Sequence, residues 1–489
     1  MATIPPPAPP TKPTKPAGSK PSAGPPRISR PAAKRPCQGI GLGSTGRNQL
    51  AADAPFDDFH AGAFTYLLTR ALWQADPSTT LRQLFDQLAV NTKTLAQSAR
   101  IFQNPTYSLP PGQKTLADRP PYFTIPDRPA AEGAIRPSNS SELEFWLGGI
   151  APQALPAFNR GAQFAIIDDQ GRTLGELEQT RRSGLIGYGT LKTGKLPTTL
   201  NPLLRETVRG IPADLRLRLG ITPSLQGATA TITQALEPLG RIQIAPDNID
   251  IWLTQTPEQT LGLLQPDGSP LPTSFGPSKE TPTDAITRLL PQLQSLLARR
   301  LLHTLGQNTT QGLKLAAQVH DVKKPSKDRR SFPAGRQIAI QVTNPNDQPL
   351  HIALIAIDSD GHLSVLSPTD WETLSPQPIP PSQTTTLPEP DGPFKFILMP
   401  PAGFLEVLVL GSTQPLQDAL KGLRQIARST NTRSGNPLTL QGDQPLEVTK
   451  QLFQSVSRLY TIREQSTIYD VDNRQLTSLS LTIEVTGPV

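Results

Sequence analysis

The chain has 489 residues, of which 36% are hydrophobic, with 55 prolines, one cysteine and a formal net charge of +7. That length leaves room for roughly two to four domains with real cores, and the proline content favours turns, extended connections and edges over long helices. The lone cysteine excludes an internal disulfide framework and any zinc site built on cysteines; no apolar run is long enough to span a membrane and no apolar segment marks a secretory signal, so the expected compartment is the cytoplasm.

Residues 1–36 hold twelve prolines, seven Lys or Arg and no Asp or Glu, and the rest of the chain is balanced at 40 basic and 40 acidic residues. The basic charge therefore belongs to a tail that cannot bury enough apolar surface to offset its ordering entropy. A solvated, polyproline-like linker is expected there, and nucleic acid is an unlikely partner because no folded face carries the excess charge.

An ordered unit is expected over 37–104. Phe64, Leu67, Leu68, Ala71 and Leu72 recur at helical spacing, Trp73 extends the stripe, and a helix over 61–73 follows. A second helix, capped by Ser78 or Thr79, presents Leu81, Leu84, Phe85 and Leu88 on one face. Residues 105–135 read as a Pro-rich connection. From about 141 the pattern turns to half-buried strands: Leu143, Phe145 and Leu147 alternate, as do Leu215, Leu217 and Leu219 with Arg216 and Arg218 between them. Ile286, Leu289, Leu290, Leu293, Leu297 and Leu301 mark a helix over about 284–305, capped by Thr283, ended by Gly306 and interrupted by Pro291.

The charged run KKPSKDRR at 323–330 breaks the chain. Strands are then expected at Ile338–Val342, Leu350–Ile357, Leu363–Leu366, Phe394–Leu398 and Phe404–Leu410, with a turn at Asp358, Asp360 and Gly361. Two helices near 415–427 and 446–460 and a last strand at Leu479–Val485 close the chain. The expected class is α+β and mainly β, with a β-sandwich-like domain over 331–489 and accessory α+β structure over 136–322.

The segment GSTGRNQLAADAPFDDFHAGAFTYLLTRALWQ, residues 43–74, resembles the small-subunit end of bacterial caspase-like peptidases of the metacaspase and orthocaspase type. Gln49, Ala52, Asp53 and Ala54 match a pattern near Q-x-A-D-A, and Gly62, Ala63, Phe64, Thr65, Tyr66 and Leu68 match the G-A-F-T-Y-x-L helix that follows it. The stretches ELEFWLGGIAPQAL (142–155) and GIPADLRLRLGITPSL (210–225) look like the accessory region that follows such peptidases. QVTNPNDQPLHIALIAIDSDGHLSVLSP (341–368) is similar to a β-rich domain of unknown function attached to them. The resemblance implies a truncated caspase-like αβ remnant over 37–104 followed by β-rich accessory domains. It also implies that Gln49, Asp53 and His60 line one wall of a substrate groove, and that either a separate large subunit is a partner or the catalytic half has been lost.

The catalytic His and Cys of that family belong to the large-subunit half, which the resemblance does not cover. Cys37 follows Lys34, Arg35 and Pro36 with no strand before it, so no catalytic residue is expected here. His60 otherwise reads as a loop or cap position. His303, His320, His351 and His362 fall at no ligand spacing, no HExxH, P-loop or GxSxG motif occurs, and neither metal nor cofactor is expected. The pairs Asp57–Asp58 and Asp168–Asp169 read as turns, and Arg181–Arg182 and Arg299–Arg300 as solvated charge pairs. A different class of function remains open: a scaffold or sensor that binds a peptide or protein at a sheet edge. Without further strands to cover it, the 37–104 unit is expected to pack on the downstream domain, self-associate or be poorly ordered.

Overall fold

The fold is that of a computed structural model, which describes residues 39–487 other than 74–78, 99–100, 121–128, 137–141, 197–201, 267, 306–311, 324–330, 360, 369–376, 391, 393, 401, 431–437 and 464–465. The tail 1–36, Cys37, Gly306, Asp360 and most of the charged run at 323–330 lie outside the described residues. The chain is α+β and mainly β.

The first unit comprises β1 (Gly41–Gly43), the hairpin β2 (Asp53–Phe56) and β3 (Phe59–Gly62), helices α1 (Ala63–Trp73) and α2 (Leu81–Ser98), and β4 (Thr106–Ser108). β1 pairs with β4 and β2 with β3, both antiparallel. Phe64 and Leu67 of α1 meet Leu84, Phe85 and Leu88 of α2, so the two apolar stripes legible in the sequence cover each other.

A barrel follows, made of β5 (Gly133–Arg136), β6 (Leu143–Trp146), β7 (Gln163–Ile167), β8 (Thr173–Ser183), β9 (Ile186–Gly194) and β10 (Leu203–Pro212). Strands β5, β6, β9, β8 and β7 pair in that order, and β10 closes the ring by pairing with both β5 and β7. Phe145, Phe158, Phe164 and Leu177 fill the core beside it. Close strand approach explains its glycines: a Cβ on Gly133 would stand 2.4 Å from the Trp146 carbonyl oxygen, and one on Gly187 2.2 Å from the Phe145 ring.

The next unit is a small α/β layer of β11 (Leu217–Ile221), α3 (Thr229–Leu236), β12 (Ile242–Ile244), β13 (Ile251–Gln255), β14 (Leu261–Leu264) and α4 (Pro282–Thr304). β11 is parallel to both β12 and β13, with α3 as the crossover between β11 and β12. The Thr283 cap is corrected to Thr281. Its hydroxyl accepts from Asp284 N at 3.2 Å and bonds the Asp284 carboxylate at 2.7 Å, while Pro282 fills the first helical position, where its missing N–H costs nothing. α4 runs on through Pro291.

The last unit holds β15 (Ala316–Asp321), β16 (Ser331–Pro333), β17 (Gln337–Thr343), β18 (His351–Ile357), β19 (Leu363–Ser367), β20 (Thr384–Leu387), β21 (Phe396–Ile397), β22 (Gly403–Ser412), α5 (Gln417–Ser429), β23 (Leu438–Thr439), α6 (Gln444–Val456), β24 (Ser457–Arg463), β25 (Ser466–Asp472) and β26 (Leu476–Thr486). A six-stranded sheet, β16-β26-β22-β18-β19-β23, faces a smaller one in which β17 pairs with β15, β20 and β21. Ile340, Val342, Leu354, Val409 and Ile483 fill the space between them. β18 is buried on both faces: Leu354 points into the sandwich, while Ala353, Ile355 and Ile357 join a core that includes Leu297 and Leu301 of α4 and Leu452 of α6.

Several boundaries differ from expectation. The stretch 105–135, expected as a Pro-rich connection, holds β4 and the start of β5. β15 precedes the charged break yet pairs along its length with β17, so the sandwich begins before 331. The strand expected at Phe394–Leu398 shrinks to two residues. The helix expected over 446–460 ends at Val456, because the chain there becomes β24, and β25 then pairs with β10 of the barrel. The C-terminal segment thereby ties barrel and sandwich together. Of the three outcomes open to the 37–104 unit, packing on the downstream structure is the one observed: Ala54, Phe56 and Tyr66 belong to the same core as Phe145 of β6 and Leu147 and Ile150 just after it.

Candidate functional site

The three residues singled out from the sequence fall on the loop before β2 and on the β2–β3 hairpin. Gln49 is a fastener. Its Oε1 accepts from Gly46 N and from Asn104 N, each at 3.1 Å, while Gln103 donates to Ser44 O and accepts from Ala52 N, each at 2.8 Å. These bonds lace the loop between β1 and β2 to the segment entering β4. Asp53 and His60 lie exposed on the hairpin. Asp53 stands opposite Gly62 and His60 opposite Pro55, so both project from the outer face, while Ala52, Ala54 and Phe56 face inward.

The inner face is fixed by aromatic packing. The Phe56 ring lies 4.5 Å from that of Tyr66 and 5.3 Å from that of Phe59, and the Tyr66 hydroxyl donates to Ile150 O at 3.1 Å. Burial pushes the Tyr66 phenol above its ordinary value, and burial lowers the neighbouring Arg70 guanidinium to about 10. The main chain closes the hairpin on the helix through Ala63 N to Ala52 O at 2.9 Å.

The tip of the hairpin corrects two expectations. Asp57 and Asp58 do form its two-residue turn, but they are also the anionic half of an ion network, and Arg182 and Arg300 are not solvated. The Arg182 side chain is 2% exposed. Its Nη1 donates to Asp58 and to Gly184 O at 2.6 Å each, its Nε and Nη2 donate to Asn159 Oδ1 at 3.1 and 2.9 Å, and Nη2 also reaches Asp57. Asp57 further meets Arg218 of β11 at 3.2 Å and Arg300 of α4 at 3.9 Å, and Asp250 pairs with both of those arginines. Burial alone would raise the Asp58 carboxyl. The Gly184 N–H at 2.7 Å and the Arg182 guanidinium override it and hold the group below the usual carboxylate range. Burial lowers the Arg300 guanidinium.

Arg182, Arg218, Asp250 and Arg300 were not read from the sequence as one site. The only local signal was the placement of Arg218 on the polar side of the Leu217–Leu219 alternation; the rest needs the tertiary fold. The outer pairs do stay exposed: Arg181 stacks on Tyr188 at 3.5 Å and pairs with Glu142. Asp168 takes its turn role, its carboxylate accepting from Gln170 N and Arg172 N at 2.9 Å.

The chain's one thiol, Cys37, lies outside the described residues, and what the described residues show here is a network of buried and half-buried charges. Among the described residues no group of three or more His, Cys, Asp or Glu is placed to hold a metal ion, and no helix is long and apolar enough to cross a membrane. In the same first unit, Leu42 of β1, Leu50 and Phe102 expose large apolar side chains, Leu50 at 74% and Phe102 at 62%.

Residues 331–415, from β16 to just past β22, match the family described as Domain of unknown function (DUF4384). No curated protein matches the chain, and no solved structure matches it.

Proposed function

We propose that this chain is the non-catalytic C-terminal portion of a caspase-like cysteine peptidase, in which β1 and the β2–β3 hairpin form the small-subunit wall and the later units serve as accessory regulatory or sensor domains. One observation carries the reading. Within and beside the stretch that resembles the small subunit, Leu42, Leu50 and Phe102 are exposed around a strand that pairs only with β4 among the described residues. Exposed large apolar groups beside an open strand edge suit a docking face. The resemblance identifies its occupant as a separate caspase-like large subunit bearing the His and Cys. Asp53 and His60, on the outer face of the neighbouring hairpin, would then line the groove, with Gln49 holding the loop between them and β1. A cytoplasmic setting suits a chain with a single cysteine.

The test is complex formation. A caspase-like large subunit mixed with the full chain should co-elute with it in size-exclusion chromatography. Separate elution at micromolar concentrations of both would contradict the reading.

A second reading is a scaffold or sensor that recruits an extended peptide by strand addition. It is favoured by β20 and β21, which pair successive stretches of β17 at the border of the smaller sandwich sheet, with exposed Ile397 and Met399 close by. A pull-down with the full chain would separate the two: a partner lost on Ile397→Asp but retained on Phe102→Asp belongs to the sandwich, not to the wall.

A further inference from the structure

We infer that the β2–β3 and β8–β9 turns form a latch whose bolt is Arg182, and that this latch fixes the outer face of the hairpin in place. The inference concerns the fold of the wall and stands whether or not the caspase-like reading holds. β2 and β3 pair only with each other among the described residues, and a lone two-stranded hairpin is at best marginal in water. Something outside the hairpin must hold it. At its base that is the packing of Phe56 on Tyr66. At its tip it is the ion network.

The geometry at the tip is that of a built lock. Arg182 has five N–H donors, and its bonds to Asn159, Asp58, Gly184 and Asp57 occupy the whole fork. Asp58 binds the opposite turn twice, through Arg182 and through Gly184 N. Gly184 has φ +59, and a Cβ built on it would lie 3.9 Å from that of Phe59, so the two turns run close together. Asp57 itself holds φ +34, in the left-handed region that Asp and Asn enter more readily than other non-glycine residues. The three arginines that meet Asp57 come from β8, β11 and α4. Barrel and α/β unit therefore both grip the same turn, and a displacement of either reaches the hairpin through one carboxylate.

Hydrogen exchange on the full chain tests this with two variants that cut the latch from opposite sides, Arg182→Gln and the double substitution Asp57→Asn/Asp58→Asn. Asparagine tolerates positive φ, so the second removes charge without a backbone conflict, and it decides the matter should Arg182→Gln fail to fold. Amides of residues 53–62 should exchange at least about tenfold faster than in the unaltered chain, since breaking a buried pair leaves its partner uncompensated. Amides of β17 and β22 in the sandwich should keep their rates. Unchanged exchange over 53–62 would overturn the inference. So would an equal loss of protection in β17 and β22, which would make Arg182 a general support of the fold rather than a latch on the hairpin.

Discussion

Nε2 of His303, in the last turn of α4, lies 2.7 Å from Oε2 of Glu406 in the middle of the sandwich sheet. Ser480 donates to the other carboxylate oxygen at 2.6 Å, and Arg299 stands 3.9 Å away. Burial would raise the Glu406 carboxyl, but these partners hold it down to about 2. A carboxyl lowered on folding adds stability that is complete above its unfolded value and is lost as pH falls from there through the folded value, here a window from 4.5 down to about 2. Glu406→Gln should therefore destabilise the chain by about 3 kcal/mol at neutral pH, and the gap from the unaltered protein should shrink as pH approaches 2. Denaturant melts at several pH values would show it; a gap that stays constant with pH would contradict it.

Arg209 is the counterpart on the barrel side of α4. It binds Glu206 through two nitrogens at 2.7 Å each and donates to Thr304 O at 3.0 Å and to Leu305 O, where the C-terminal carbonyls of the helix need donors. Arg209→Met leaves Glu206 buried without its cation and should cost about 3–5 kcal/mol. The double change with Glu206→Gln should cost clearly less than the two single losses together, as a thermal-denaturation cycle would reveal.

Barrel closure depends on strands meeting where no Cβ fits. Gly133→Ala would bring a methyl against the Trp146 carbonyl oxygen, a backbone atom that cannot rotate away. A loss of about 1–3 kcal/mol is expected from such overpacking. Gly227→Ala, whose Cβ would meet nothing within 4 Å, should be close to neutral in the same melts.

Tyr66 carries both the packing of the hairpin base and a bond to the barrel. Tyr66→Phe keeps the ring and loses the bond to Ile150 O, so a loss of about 1 kcal/mol is expected. Tyr66→Ala removes the ring that packs on Phe56 and should cost about 3–5 kcal/mol. Equal effects of the two would place all of the contribution in the hydroxyl.

Periodicity made the local elements legible. The stripes on α1 and α2, the alternation in β11 and the long strand β18 could each be read because burial imposes a period of 3.6 or 2 on the chain. Closure of the barrel was not legible, since nothing local marks β10 as the strand that meets both β5 and β7. Nor was the return of β25 to the barrel: Leu459, Tyr460 and Ile462 continue a helix-like apolar pattern past Val456, yet they lie in β24, which pairs with β25, and it is β25 that takes the edge of β10. The candidate site divides in the same way. Gln49 and Asp53 belong to the stretch whose residue types match a known pattern, and His60 lies between its two matched parts. Arg182 could not be found that way, because sequence spacing says nothing of a partner more than a hundred residues away.

If the first unit docks a catalytic half, as proposed, a mixture of this chain with a caspase-like large subunit should cleave a fluorogenic peptide. Turnover is expected with the mixture and with neither chain alone, and it should be lost when Leu50→Asp and Phe102→Asp are introduced together without a change in melting temperature. Absence of turnover in the mixture, or turnover that survives the double substitution, would contradict the proposal.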